Sequence, residues 1–283
     1  MAEPLTTRDH DRRRGNRTYV YPVVSRRARG VSVGVNLNPN NACNWRCVYC
    51  QVPGLVFGNA PEIDLAQLER ELSEQLVECR SAQWLEQNAP LGARRLNDVA
   101  FSGNGEPTSS RQLPEVVALA GRTLSSLALL HTVKLVLITN GSLLHLEHVE
   151  RSVRSMAELS GEVWFKLDSA TDAGIVAINN FAGGSARQLK NLERCARLCP
   201  TWIQTCLLAF DGREPSREER SAYLQAIEDL VRAHVPVRGV QLYSIARESH
   251  QPEAPRLCAL DAEWLATFAR EIEARGLPVQ IAP

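Results

Sequence analysis

A chain of 283 residues that is 44% hydrophobic can bury a sizeable core, and α/β barrels of this size commonly stay undivided. The formal net charge of zero excludes a global electrostatic pull toward nucleic acid or membrane, and no apolar run approaches the roughly 20 residues that span a bilayer. The first residues lack the basic-then-apolar pattern of a secretion signal, so the eight cysteines are expected as reduced thiols of a cytoplasmic protein rather than as a disulfide framework.

The charge is unevenly placed. Residues 1–30 carry Arg8, Arg12, Arg13, Arg14, Arg17, Arg26, Arg27 and Arg29 against Glu3, Asp9 and Asp11. Residues 1–24 read as a basic N-terminal arm and 25–283 as one domain. Clustered arginines beside Tyr19 and Tyr21 suit gripping RNA phosphates and stacking on bases. The alternative is that Ser25-Arg26-Arg27 laces the first strand to the barrel. That strand is expected over 31–37, and 64–87 predicts one long helix with Leu65, Leu68, Leu72 and Leu76 on one face. Short apolar runs then alternate with helical periodicity. Strands are expected at 97–103, 132–139, 161–168, 201–210 and 235–245, with helices near 112–130, 143–157, 185–198 and 215–233. A helix over 262–275 and a strand at 278–281 close the chain. Ser185 and Ser216 are candidate helix caps, and Pro114 and Pro215 suit first turns.

Strands such as Val133, Leu135, Val136, Leu137, Ile138 are nearly continuous in apolar residues, as when both faces are covered. Six β/α units in succession predict a parallel sheet with right-handed crossovers. Six fall short of the eight that close a barrel. The expected fold class is therefore α/β, a partial (β/α)6 barrel of parallel strands open on one side, with a flat doubly wound sheet as the runner-up.

Directly after the first strand, Cys43-Asn44-Trp45-Arg46-Cys47-Val48-Tyr49-Cys50 packs three thiols into eight residues. Soft thiolates select zinc, copper(I) or iron–sulfur clusters. A structural zinc site needs four ligands, and no second cysteine pair or nearby histidine completes one here. Three cysteines in one loop suit a cubane cluster with one iron left open. The histidines form no ligand spacing. Cys79, Cys195, Cys199, Cys206 and Cys258 read as small apolar residues rather than ligands of a second cluster.

The C-x3-C-x2-C spacing with Tyr49 before the last cysteine resembles the signature of the radical S-adenosylmethionine superfamily. The lead-in through Pro22, Ser25-Arg26-Arg27, Gly30, Ser32, Gly34, Asn36-Leu37 and Pro39 resembles one branch of it, iron–sulfur oxidoreductases related to the enzymes that make wybutosine-type bases in tRNA. The resemblance implies that Cys43, Cys47 and Cys50 hold a [4Fe–4S] cluster whose open iron binds S-adenosyl-L-methionine. It also implies that an electron from a donor such as flavodoxin or ferredoxin cleaves the sulfonium, giving a 5′-deoxyadenosyl radical that abstracts hydrogen from the substrate.

Further strand ends fit that cofactor. Phe101-Ser102-Gly103-Asn104-Gly105-Glu106-Pro107 is a glycine-rich turn, and glycines let a backbone approach a ligand closely. It is similar to the family's Gly-Gly-Glu-Pro, which contacts the cofactor's amino group, with Asn104 in place of the first glycine. Thr139-Asn140-Gly141 ends the next strand, either beside the cofactor through Asn140 or as an ordinary turn. Lys166 and Asp168 share one side of the strand after that, where the resemblance places contacts to ribose and carboxylate. Tyr243-Ser244-Ile245-Ala246-Arg247 ends the sixth strand, and Arg247 is suited to a carboxylate or phosphate.

The leading expectation is radical modification of an unidentified substrate, a tRNA loop or a peptide, without membrane involvement. The competing readings are a glycyl-radical activase, and, from another class, a zinc or iron–sulfur binding module without radical chemistry.

Overall fold

The computed structural model describes residues 4–6 and 16–282. The strands are β1 (Val20–Ser25), β2 (Gly30–Val35), β3 (Leu96–Phe101), β4 (Lys134–Thr139), β5 (Glu162–Lys166), β6 (Thr201–Phe210), β7 (Val237–Ser244) and β8 (Val279–Ala282). The helices are α1 (Leu65–Cys79), α2 (Ala82–Asn88), α3 (Leu113–Ser126), α4 (Glu147–Glu158), α5 (Asp172–Asn179), α6 (Ser185–Leu198), α7 (Arg217–Arg232) and α8 (Ala262–Glu273). The strands pair in chain order from β1 to β8. β1 is antiparallel to β2, and every later neighbour in the row is parallel. Among the described residues nothing pairs β1 with β8. The sheet is thus a curled partial barrel open on one side, as expected, and not the flat doubly wound alternative. A short strand, Leu257–Ala259, adds antiparallel to the far end of β6.

Alternation along each strand separates two environments. Val33, Val99, Phe101, Leu135, Leu137, Phe165, Ile203 and Val240 join the buried outer core with Leu68, Leu72 and Leu76 of α1 and Val149, Val153 and Met156 of α4. Each fully buried aliphatic side chain there contributes about 1.5–3 kcal/mol of transfer free energy. The inward set differs. Ser32, Ala100, Ile138, Trp164, Lys166, Gln204, Cys206 and Tyr243 line a cavity of about 250 Å³.

The helix expected over 64–87 is two helices. Ser81 interrupts it because its side chain accepts from Trp84 N, capping α2. Ser185 is not a cap: Gly184, at φ 82°, occupies that position, and Ser185 is the first helical residue. Ser216 does cap α7, accepting from Glu219 N.

Arg8, Arg12, Arg13 and Arg14 lie outside the described residues. Farther along, Glu71 accepts from the backbone N–H groups of Thr18, Tyr19 and Val20, and Arg17 bonds Gln75 and Glu78. The approach to β1 is therefore fastened along α1. The turn between β1 and β2 folds into the barrel, where Ala28 packs with Ala100, Val136 and Trp164.

Candidate functional site

The cysteine loop leaves the C-terminal end of β2, where the sheet's curl makes strand ends converge. Cys43, Cys47 and Cys50 are unpaired thiols, and all three line the inner cavity. Among the described residues no three His, Cys, Asp or Glu side chains converge on a single ion. A mononuclear zinc site needs that convergence, because every ligand reaches the same metal at about 2–2.3 Å. The ligands of a cubane each bind a different iron at a separate corner, so three thiols spread along one cavity wall suit that chemistry. Each of two sulfurs accepts one N–H: Cys43 from Trp45 N at 3.5 Å, Cys47 from Asn179 Nδ2 at 3.3 Å. Donors of this kind tune cluster potentials. Burial, with Glu106 adding to it at Cys43, pushes the Cys43 and Cys47 thiols up to about 12.

The loop is held by an element that periodicity over so few residues does not reveal. α5 is eight residues long, and Thr171 caps it by accepting from Gly174 N. Its C-terminal carbonyls accept from the loop: Arg46 N bonds Asn179 O and Val48 N bonds Ile178 O. Trp45 stacks on Phe181 with ring centroids 4.8 Å apart. From the other side, Ser249 Oγ donates to Val48 O at 2.6 Å and Arg46 forms a bidentate pair with Glu253. The sequence signal for α5 is Thr171-Asp172 before an apolar stretch, a cap pattern that the strand-helix alternation obscures.

Glu106 is buried, lines the cavity and joins two strand ends. Its Oε1 accepts from Thr108 N, Thr108 Oγ1 and Thr139 Oγ1, and its Oε2 accepts from Asn140 N at 2.7 Å. Burial raises its pKa, and these four donors oppose that rise. Among the described residues, one lone pair on Oε2 has no donor. Asn140 lines the cavity as well, and its Nδ2 donates to Asn44 Oδ1 of the cysteine loop at 2.9 Å.

The glycine-rich turn lies against the loop's lead-in. A Cβ on Gly105 would stand 1.9 Å from Ala42 O, and Gly103 takes φ 138° beside Asn36. Both glycines line the cavity, whereas Asn104 does not. Asn104 bonds Asn36 and Asn41 instead, bracing the segment before Cys43.

Lys166 and Asp168 do share a side, but they bond Tyr49 rather than each other. Tyr49 OH donates to Asp168 Oδ2, and Lys166 Nζ donates to Tyr49 OH at 3.2 Å. Asp168 also accepts from Asn179 Nδ2 at 2.8 Å and Cys206 N at 2.9 Å, tying the cysteine loop, α5 and β6 together. Lys166 lines the cavity, and Asp168 lines a second, mainly apolar cavity of about 320 Å³ behind it. Burial works against the Lys166 ammonium, but Tyr243, Asp168 and Cys47 more than offset it, and its pKa rises.

Cys195 and Cys199 are buried away from the site, and Cys258 is exposed. Cys206 and Gln204 are brought to the cavity wall by strand register, Arg26 and Arg27 by the β1–β2 turn, and Arg247 by the segment after β7.

The family model described as Radical SAM superfamily matches residues 37–219. Among curated relatives, the UPF0026 protein slr1464 of Synechocystis sp. is 24% identical over 288 residues, covering 93% of this chain and 96% of that protein. The GTPase Obg of Brachyspira hyodysenteriae is 27% identical over 143 residues, and the match spans 49% of this chain but only 17% of that protein. Two solved structures share the fold. A radical SAM methyltransferase from Sphaerobacter thermophilus superposes with a TM-score of 0.56 at 15% identity, covering 89% of this chain and 66% of that one. TYW1 with a lysine–pyruvate adduct bound superposes with a TM-score of 0.52 at 15% identity, covering 87% and 74%.

Proposed function

Because the chain belongs to the radical SAM superfamily, with that family's model matching residues 37–219, we propose that Cys43, Cys47 and Cys50 hold a [4Fe–4S] cluster that works with S-adenosyl-L-methionine on a substrate inside the barrel. The observation that carries this reading is the convergence of the three thiols with Glu106, Asn140 and Lys166 on one cavity. When bound, the cluster and S-adenosylmethionine would supply one-electron cleavage of a sulfonium and abstraction of a hydrogen atom.

The chain's own groups have separable tasks. The vacant lone pair on Glu106 Oε2 accepts from an ammonium group, and Gly103 and Gly105 keep the neighbouring backbone close. Lys166 spends one donor on Tyr49 and turns its remaining N–H groups to a carboxylate or ribose. Asp168 and Asn104 act at one remove, positioning Tyr49 and Asn41. α5 and residues 249–253 hold the cysteine loop in place.

Anaerobic reconstitution with iron and sulfide, followed by dithionite and S-adenosylmethionine, should release 5′-deoxyadenosine and methionine. Absence of both from cluster-loaded protein, with Cys47→Ala behaving identically, refutes the reading. A flavodoxin or ferredoxin should replace dithionite. A tRNA substrate is supported by the resemblance of the lead-in through Asn36 and by the fold shared with TYW1. It is tested by comparing modified nucleosides of tRNA from parent and deletion strains, and an unchanged profile turns the search to peptides.

A further inference from the structure

Deep in the barrel, beyond the groups assigned above, lies a second constellation. Arg27, carried in by the β1–β2 turn, has its guanidinium carbon 5.3 Å from the Trp164 ring centroid and 5.0 Å from that of Tyr243. Trp164 on β5 is level with Trp202 on β6, and Tyr243 on β7 is level with Cys206. A group touching both rings therefore crosses β6 between Trp202 and Cys206, over Gln204, whose side chain faces the same cavity.

Gln204 is fully buried, and among the described residues neither its amide nitrogen nor its amide oxygen has a hydrogen-bond partner. Its register partner Gln241 is also buried, with an unpartnered amide oxygen. Buried amide groups are rarely left unpaired, because each costs about 1–3 kcal/mol. Aromatic rings satisfy the charge of Arg27 but not its N–H edge. Asp98, which faces the same interior, is bonded by Ser32.

We infer that the substrate, in the radical SAM reading on which this rests, presents a carboxylate or phosphate to Arg27 and an adjacent group with one donor and one acceptor to Gln204. A planar guanidinium held between two rings is preorganised for bidentate contact with such an anion. The Gln204 amide then finds, on the substrate, the partners that the described residues do not supply.

The test uses cluster-loaded protein saturated with S-adenosylmethionine and labelled with 5-fluorotryptophan, the Trp164 resonance being assigned with Trp164→Phe. Acetate, inorganic phosphate and neutral acetamide are the probes. Acetate or phosphate should shift the Trp164 resonance saturably, and acetamide should not shift it at comparable concentration. Whichever anion binds more tightly identifies the group as carboxylate or phosphate. Arg27→Gln should weaken binding at least about tenfold, with Arg27→Lys intermediate because it keeps the charge without the fork. No shift in the wild type, equal binding by Arg27→Gln, or competition by S-adenosylmethionine overturns the anion site. Amide involvement is read separately. N-acetylglycine should bind more tightly than acetate in the wild type and lose that advantage in Gln204→Leu, and an advantage kept in Gln204→Leu would leave water alone as that amide's partner. Melting temperatures establish that the variants fold. Uncoupled 5′-deoxyadenosine release is measured in the wild type, and its absence there would count against the radical reading itself.

Discussion

Replacing Glu106 with Gln tests whether its carboxylate binds two strand ends together. The substitution conserves volume but leaves one oxygen and one NH2 group where four donors now meet a carboxylate. With the oxygen kept toward Thr108 and Thr139, the new NH2 faces Asn140 N at the 2.7 Å that now separates it from Oε2. Two donors then oppose each other in a buried site. The loss of a hydrogen bond to a charged acceptor, about 1.5–3 kcal/mol, combines with an unsatisfied buried N–H, about 1–3 kcal/mol. The neutral side chain avoids part of the cost of burying a charge, which leaves a net destabilisation of roughly 3 kcal/mol. For a chain of this length, an unfolding entropy of about 2 cal/mol/K per residue converts that to a fall of roughly 5 °C in melting temperature. Calorimetry of the reduced, metal-free protein near neutral pH reads this directly. Iron bound per chain after reconstitution should fall too, because Asn140 carries Asn44 of the cysteine loop. A melting temperature within about 1 °C of wild type would refute the four-donor arrangement.

Asp98→Asn should stabilise the protein above about pH 6 and have little effect below about pH 4. Burial raises the Asp98 carboxyl from 3.8 to about 6, so the folded state holds a proton that the unfolded state has already lost. Stability therefore falls as pH rises from about 4 to 6, and the relief from Asp98→Asn grows over that window to roughly 3 kcal/mol. A constant difference in chemical denaturation across pH 4–8 would contradict it. Gly105→Ala should lower cluster loading, since its Cβ would meet Ala42 O at 1.9 Å and displace the lead-in to Cys43; unchanged iron content would exclude that contact. Tyr49→Phe should leave the fold intact but loosen the loop, because Asp168 loses the one donor that comes from the cysteine loop and Lys166 loses its hydroxyl acceptor. Its check is faster loss of iron to a chelator, with wild-type rates counting against the bond. Leu72→Ala, in the buried face of α1, should cost about 2–5 kcal/mol in denaturant titration.

What the sequence determined by itself was whatever is local or periodic. Apolar runs alternating with helical stripes led to a partial barrel, because a strand covered on both faces and a helix covered on one leave different spacings. The three cysteines lie within eight residues, so their candidacy as ligands needed no long-range information. What only the tertiary structure decided was which polar groups meet. Glu106 meets the backbone of Asn140, Asp168 meets Tyr49 rather than Lys166, and Asn104 turns to Asn41. Each pairing joins residues far apart in the chain, and spacing along the chain carries no record of them. The short helix α5 escaped because eight residues hold barely two turns of periodicity, and its stability comes from docking against the cysteine loop. The seat of Arg27 against Trp164 and Tyr243 was hidden for the same reason. The basic stretch suggested that Arg26 and Arg27 lace the first strand to the barrel, but only the curl of the sheet decides that Arg27 meets Trp164 and Tyr243.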